Sequence, residues 1–243
     1  MRGDAGFPVR LRFAKRGKIR FVSHRDVARA FERAFRVERL PLSFTQGFSP
    51  RPKVSFGLAL SVGHESEAEY LDVELAEELD VFALPPSLSA ALPEGIDVTG
   101  AAALVERAAA LQESVGSVEY DVSVASTTGI PTTVDDVRRA FDAALASETL
   151  AARRRRKGRE VVEDVRGLLR SADVLGTSDT GVLLHLELAT RPSSVRPGEV
   201  VAAVGDLADV RVLRTRQWIE RDGARLEPLE ADSRPCAANA RAS

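Results

Sequence analysis

Four arginines, Arg25, Arg29, Arg33 and Arg36, recur at intervals of four, four and three in a chain of 243 residues. That spacing sets them along one side of a helix. A guanidinium donates two parallel hydrogen bonds to a phosphate, so such a row suits a polyanion. Shortly after it comes FTQGFSPRPKVSFG, residues 44–57. Here Gly47 and Gly57 permit positive φ or close backbone approach, and Pro50 and Pro52 stiffen the chain around Arg51 and Lys53. Gln46 and Ser49 can donate to a base or a phosphate, and Phe48 can stack on a base. Read as plain structure, the arginine row is a solvated helix face and the loop is a stiff connector with Phe48 plugged into the core. A third basic run is RRRRK, residues 153–157. On a strand, Arg154 and Arg156 share one face while Arg153, Arg155 and Lys157 take the other. The run is then either a second polyanion contact or a sheet edge protected by charge.

Catalytic chemistry has a thinner basis. The three histidines are His24, His64 and His185. His24, in the first turn of the arginine helix, is the weak candidate for a general base acting on a ribose hydroxyl. Its plain reading is a helix-start residue bonded to backbone. Asp72 and Glu74 fall on one strand face with Tyr70, a pair able to meet a metal or bases but more simply a polar sheet face. The single cysteine, Cys236, excludes disulfides and cysteine-ligated clusters within the chain. Neither phosphate-loop nor dinucleotide glycine motifs occur, nor any histidine–cysteine metal spacing. No cofactor and no metal are therefore expected.

The elements that must position these residues follow from periodicity. VRLRF alternates, with Val9, Leu11 and Phe13 toward a core and Arg10 and Arg12 away from it. IRFV repeats the pattern with Ile19 and Phe21 inward. Ser23 is an N-cap with Asp26 three residues on, and Val27, Ala30, Phe31, Ala34 and Phe35 form the apolar stripe of the helix. Strands at about 53–60 and 68–75, a helix at about 79–92 and a strand at about 96–105 complete βαββαβ. The second half repeats this order. It has a strand with Val118, Tyr120, Val122 and Val124 on one face, a helix burying Val137, Phe141 and Leu145, and a basic strand or hairpin at about 150–163. A strand with Leu184, Leu186 and Leu188, a short helix from Pro197 and a closing strand before the turn ERDGAR complete it. The expected fold is α+β, made of tandem ferredoxin-like (βαββαβ) units with antiparallel sheets. Residues 1–108 form the first, carrying the basic helix and loop, 109–228 the second, and 229–243 a disordered tail. A single mixed sheet with insertions is the competing layout.

Net charge is −2, but it is segregated. Residues 1–60 carry 14 Lys/Arg against 4 Asp/Glu, and residues 61–150 carry 3 against 18. Either the molecule has basic and acidic faces, or these segments neutralise each other internally. No apolar run of 18 residues occurs and the N-terminus lacks a signal-peptide core, so a cytoplasmic protein without a membrane partner is expected.

KRGKIRFVSHRD, TQGFSPRPKVSFGLALSVGHESEAEYLDVEL and RRKGREVVEDVR together resemble the radical-SAM-associated proteins over roughly residues 7–220. That domain of unknown function is found free or fused C-terminal to a cobalamin-binding-like radical-SAM protein, and the resemblance implies a radical-SAM enzyme as partner. The tandem layout is also similar, at the level of fold, to the CRISPR repeat-processing endoribonucleases. Three functions are compatible with these residues. The first is a non-catalytic accessory protein binding RNA or another polyanion for a partner enzyme. The second is a metal-independent endoribonuclease with His24 as base and Arg25 or Lys53 stabilising charge. The third is a protein-interaction scaffold that docks a basic partner on the acidic 61–150 segment.

Overall fold

A computed structural model of the chain describes residues 6–105, 108–156 and 158–234. The chain divides into two compact units: Met1–Val62, Ser66–Ser114 and Ile219–Ser243 in the first, Gly63–Glu65 and Val115–Trp218 in the second. The first runs β1 (Phe7–Lys15), α1 (His24–Val37), β2 (Val54–Phe56), β3 (Glu65–Leu75), α2 (Leu84–Ala91), β4 (Ile96–Ala103) and a single turn, α3 (Leu111–Ser114). Its strands lie in the order β4-β1-β3 with β2 also on β3, all antiparallel. This is the ferredoxin-like 4-1-3-2 arrangement. Alternation along β1 and β3 sends Val9, Leu11, Phe13, Leu71, Val73 and Leu75 to one face, where they meet Val27, Phe31 and Phe35 of α1 and Leu88 of α2.

IRFV does not continue the strand alternation. It forms a 3-10 turn, Gly17–Phe21, and Phe21 is 62% exposed with Arg20 over its ring. Gly17 turns the chain at φ 66. Lys15 Nζ then donates to the carbonyl oxygens of Arg20 and Val22, giving the turn the partners a neighbouring strand would have supplied. Burial holds the Lys15 ammonium below the usual lysine range, opposed by the nearby Glu69 carboxylate. The lysine thereby fixes the entry into α1.

The second unit runs β5 (Val115–Ser126), α4 (Val134–Ala146), β6 (Ala151–Arg156), β7 (Arg159–Asp164), β8 (Leu169–Ser178), β9 (Gly181–Ala189), α5 (Pro197–Val204) and β10 (Leu207–Arg221). Its strand order, β10-β5-β9-β8, is again ferredoxin-like. The basic stretch near 150–163 is not the second strand of this unit. It is a separate hairpin, β6-β7, inserted between α4 and β8. The second strand is β8, whose sequence LRSADVLGTS buries only its first residue and so lacks a clear alternation.

In this unit the carboxyls of Asp136, Glu163 and Asp164 lie below the usual carboxylate range. Asp136 is held there by the Thr133 hydroxyl and backbone, Glu163 by the Arg156 side chain, and Asp164 by the backbone N–H groups of Leu150 and Arg166. Between those lowered values and the ordinary pKa of about 4, the unfolded chain binds more protons than the folded one. The stability they contribute is therefore complete above the unfolded pKa and is lost as pH falls through the folded values. Urea midpoints should drop on the acid side of about pH 4, and Asp164→Asn should shrink that drop. An identical acid limb in the variant would remove Asp164 from the account.

After Trp218 the chain is again part of the first unit. Ile219, Glu220 and Arg221 pair with β11 (Ala224–Leu226) around Asp222 and Gly223, both at positive φ. A single helical turn, α6 (Pro228–Ala231), follows. The sequence expectation of a tail from residue 229 gives way here to structure. Ser233 bridges Leu104, and the Arg234 N–H donates to the Ala103 carbonyl at 2.8 Å. The cause is Arg10. Its Nε and Nη2 take both oxygens of Asp72, at 2.7 and 2.9 Å, and its Nη1 donates to the Pro228 carbonyl and lies 3.6 Å from Asp232. Arg10 does face away from the apolar core, as alternation required, yet it is 0% exposed because this segment covers that face. Residues 235–243, Cys236 among them, lie outside the described residues.

Candidate nucleic-acid interface

Ser23 caps α1 by accepting the Asp26 N–H, and its hydroxyl donates to the Asp26 carboxylate. The helix buries Val27, Phe31, Ala34 and Phe35 and leaves Arg25, Arg29, Arg33 and Arg36 exposed. Arg29 pairs with Asp26 at 3.2 Å. Among the described residues Arg25, Arg33 and Arg36 have no carboxylate within ion-pair distance. The segment 43–53 is a closed ribbon. Thr45 N–H donates to the Arg51 carbonyl, Arg51 N–H to Thr45 Oγ1, Lys53 N–H to the Ser43 carbonyl, and Phe44 bridges Pro52. Its tip holds Gln46, Gly47, Phe48 and Ser49, all exposed, and Gly47 makes the turn at φ 133. Gly57, by contrast, serves close approach. A Cβ there would meet the Tyr70 carbonyl and Leu111 at 3.3 Å.

Phe48 is 109% exposed. The plugged-core reading of the loop is thereby excluded, and an aromatic face stands free at the tip of a ribbon bearing Arg51. Between that ribbon and the C-terminal half of α1 runs a groove of about 850 Å³, the size of a small-ligand cleft. Its floor includes Phe35, Leu40, Phe44 and Phe56, and its rim carries Arg36, Arg39 and Arg51 against a single carboxylate, Glu32.

The structure thus brings Arg51 to the same groove as Arg36 and Arg39. Lys53 is engaged with Glu74 at 2.6 Å and is not a free cation. Arg154 is also corrected. It is buried, with Nη1 on Glu163 at 2.7 Å, Nε on Glu199 at 3.1 Å and Nη2 donating to the Ser194 carbonyl, so it ties the β6-β7 hairpin to the start of α5. The hairpin's one inward face made that fate possible. Arg156 is exposed but paired with Glu163, Arg153 and Arg155 are exposed, and Lys157 lies outside the described residues. Reading by sequence missed Arg39 and Phe44. Arg39 follows Arg36 by three residues, which continues the row's own spacing, and Phe44 opens the loop.

His24 is not part of the groove. It stands edge-on to Phe56 at 5.0 Å and lines, with Lys15, Glu69 and Tyr70, a cavity of about 20 Å³, room for about one water. The buried Tyr70 hydroxyl has no hydrogen-bond partner among the described residues, and burial raises its pKa well above the usual value. His64 lies 3.9 Å from Asp209, and His185 Nδ1 lies 2.7 Å from Asp121 on the neighbouring strand, partners that sequence separation concealed. Among the described residues no group of three or more His, Cys, Asp or Glu side chains is arranged to hold a metal. No helix of the described residues is long and apolar enough to cross a membrane.

Three carboxylates of the acidic segment pair with cations of the basic one within the first unit. Asp72 pairs with Arg10, Glu67 with Arg16 and Glu74 with Lys53. Internal neutralisation by that segment therefore holds for Arg10, Arg16 and Lys53 but not for the arginines of α1 or for Arg51.

Among solved structures, the chain is similar to one in the crystal structure of a Cbf5–Nop10–Gar1 complex, with a TM-score of 0.52 and 11% identity over 88% of this chain and 50% of that one. An archaeal box H/ACA Nop10–Cbf5 complex gives 0.48 at 11% identity, over 94% and 50%. An H/ACA ribonucleoprotein bound to a substrate RNA containing 2'-deoxyuridine gives 0.45 at 11%, over 96% and 55%. The chain thus spans about half the length of the chains it matches. At this identity the likeness is one of fold. Comparison with curated proteins finds no match. The sequence profile of a family described as "Uncharacterized protein conserved in bacteria (DUF2344)" matches residues 9–197.

Proposed function

The chain belongs to that family of uncharacterized bacterial proteins, and for it we propose a non-catalytic role: RNA binding by α1 and the 43–53 ribbon, on behalf of a radical-SAM enzyme in the cytoplasm. The observation that carries the RNA half is the groove, where Arg36, Arg39 and Arg51 rim an aromatic floor beside a wholly exposed Phe48. Guanidinium groups without internal carboxylate partners are available to phosphates, and free aromatic faces are available to bases. The structural neighbours contribute the fold only. The partner half rests on the radical-SAM-associated resemblance. This chain has one cysteine, so a cluster for such chemistry belongs to the partner.

Titrating labelled single-stranded RNA against salt tests the first half. The logarithm of affinity should fall steeply with that of salt, and replacing Arg36, Arg39 and Arg51 together by Ala should make the slope shallower by about two units. Phe48→Ala should cost about 1–3 kcal/mol of binding while moving folding stability by no more than about 0.5 kcal/mol. A flat salt slope, or binding indifferent to all four residues, would sink the proposal. For the partner half, a tagged chain should retain a protein carrying a three-cysteine iron–sulfur cluster, and repeated failure to retain one would remove that part alone.

RNA cleavage in EDTA that disappears in His24→Ala would replace this reading with the endoribonuclease. Because His24 lies off the groove, the expected result is unchanged RNA binding in that variant and no cleavage in either protein.

A further inference from the structure

We infer that Arg39 grips a phosphate of an unpaired strand in this groove, an inference that rests on the RNA reading and narrows it to a ligand class. The end of α1 carries the argument. Leu40 N–H donates to the Phe35 carbonyl at 2.9 Å and Arg39 N–H to the Arg36 carbonyl at 3.2 Å. Those two bonds make a Schellman motif with Arg39 at its left-handed position, φ 53. Glycine is the residue that this position favours, since a Cβ there crowds the following carbonyl. Leu40 packs on the core that contains Phe35, so the motif is held firmly and the arginine cannot relax out of it.

An arginine there gains nothing visible within the described residues, because no carboxylate lies within ion-pair distance of it. What its guanidinium does have is a place on the groove rim with Arg36 and Arg51. A residue kept against local backbone preference at the edge of a cleft is accounted for by what its side chain meets there. Phe44 on the floor and Phe48 at the ribbon tip decide the class of strand. Phe44 is 50% exposed and Phe48 is 109% exposed, so both offer ring faces to solvent. A duplex hides its base faces in its own stack, whereas an unpaired strand can lay them on aromatic rings.

The full chain and three variants, Arg39→Gly, Arg39→Lys and Arg39→Ala, are titrated with an RNA of about 12 nucleotides, single-stranded or annealed to its complement, across a range of salt. Arg39→Gly should melt at or above the wild-type temperature, since it relieves the left-handed residue. It should nevertheless bind the single strand on the order of fivefold more weakly, with a salt slope shallower by about 0.7. Arg39→Lys should keep the slope, and Arg39→Ala, which keeps the Cβ at that position, should melt near the wild-type temperature while losing the same slope. The duplex should bind at least about tenfold more weakly than the single strand, having no base face to stack. Wild-type affinity and slope in Arg39→Gly would overturn the role of Arg39. Equal affinity for duplex and single strand would overturn the ligand class, although arginine-dependent binding would leave the RNA reading standing. A wild-type protein that binds neither probe at low salt would overturn that reading, and this inference with it.

Discussion

Arg10→Ala should lose about 3–5 kcal/mol of folding stability, the range for removing one partner of a buried ion pair. The side chain is 0% exposed and serves four groups at once: Asp72, Asp232 and the carbonyls of Pro228 and Ala109. Asp232 is itself only 5% exposed, and truncation leaves it with Arg221 alone. The loss combines two carboxylates short of a cation with a buried carbonyl short of a donor. Arg10→Lys should recover little, because an ammonium cannot take Asp72 bidentately while also reaching Pro228. Chemical denaturation gives the number. A second consequence is local. The 228–234 segment should be cleaved by protease well before the rest of the first unit in a variant that still folds. A variant as stable and as protease-resistant as the parent would show that the network contributes nothing net.

Arg154→Ala is expected to cost about 3 kcal/mol, again from stranding buried charge. Glu199 is 17% exposed and Glu163 34%, so solvent compensates more here than around Arg10. The contrast with its neighbours carries the functional content. Arg153 and Arg155 point outward from the same strand, so replacing them should leave stability within about 0.5 kcal/mol. If the hairpin touches RNA, they and not Arg154 should change the salt slope, by about 0.7 each on a single strand. An Arg154→Ala protein of unchanged stability that has lost salt-dependent binding would return that residue to the binding surface.

These two arginines also mark where reading by sequence stops. Alternation in VRLRF placed Arg10 on the face opposite Val9 and Leu11, and the structure agrees. What covers that face comes from Pro228, 218 residues further on, and no local pattern announces it. Arg154 is the same case at shorter range, since strand period assigns it a face and Glu199 on another element decides that the face is buried. The missed strand β8 has a different cause. An edge strand that buries little has no need to alternate, and alternation was the signal being read. IRFV alternates yet forms a turn, because Lys15 folds back onto two carbonyls and no alternating pattern records that contact.

Elements that bury a continuous stripe were legible from composition and spacing alone: the strand of Val9, Leu11 and Phe13, the helix of Val27, Phe31 and Phe35, and the paired βαββαβ order. Burial of apolar area is the dominant favourable term, and its periodicity is written residue by residue. The arginine row and the ribbon were legible for the same reason, as the side of α1 that the stripe leaves over and as a glycine–proline turn. Which cations remain available was not legible. Lys53, Arg10 and Arg154 are engaged by carboxylates, while Arg36, Arg39 and Arg51 meet at a groove. Only tertiary structure decides this, because an ion pair depends on a few ångströms between residues of unrelated sequence position, and charge alone carries no record of its partner.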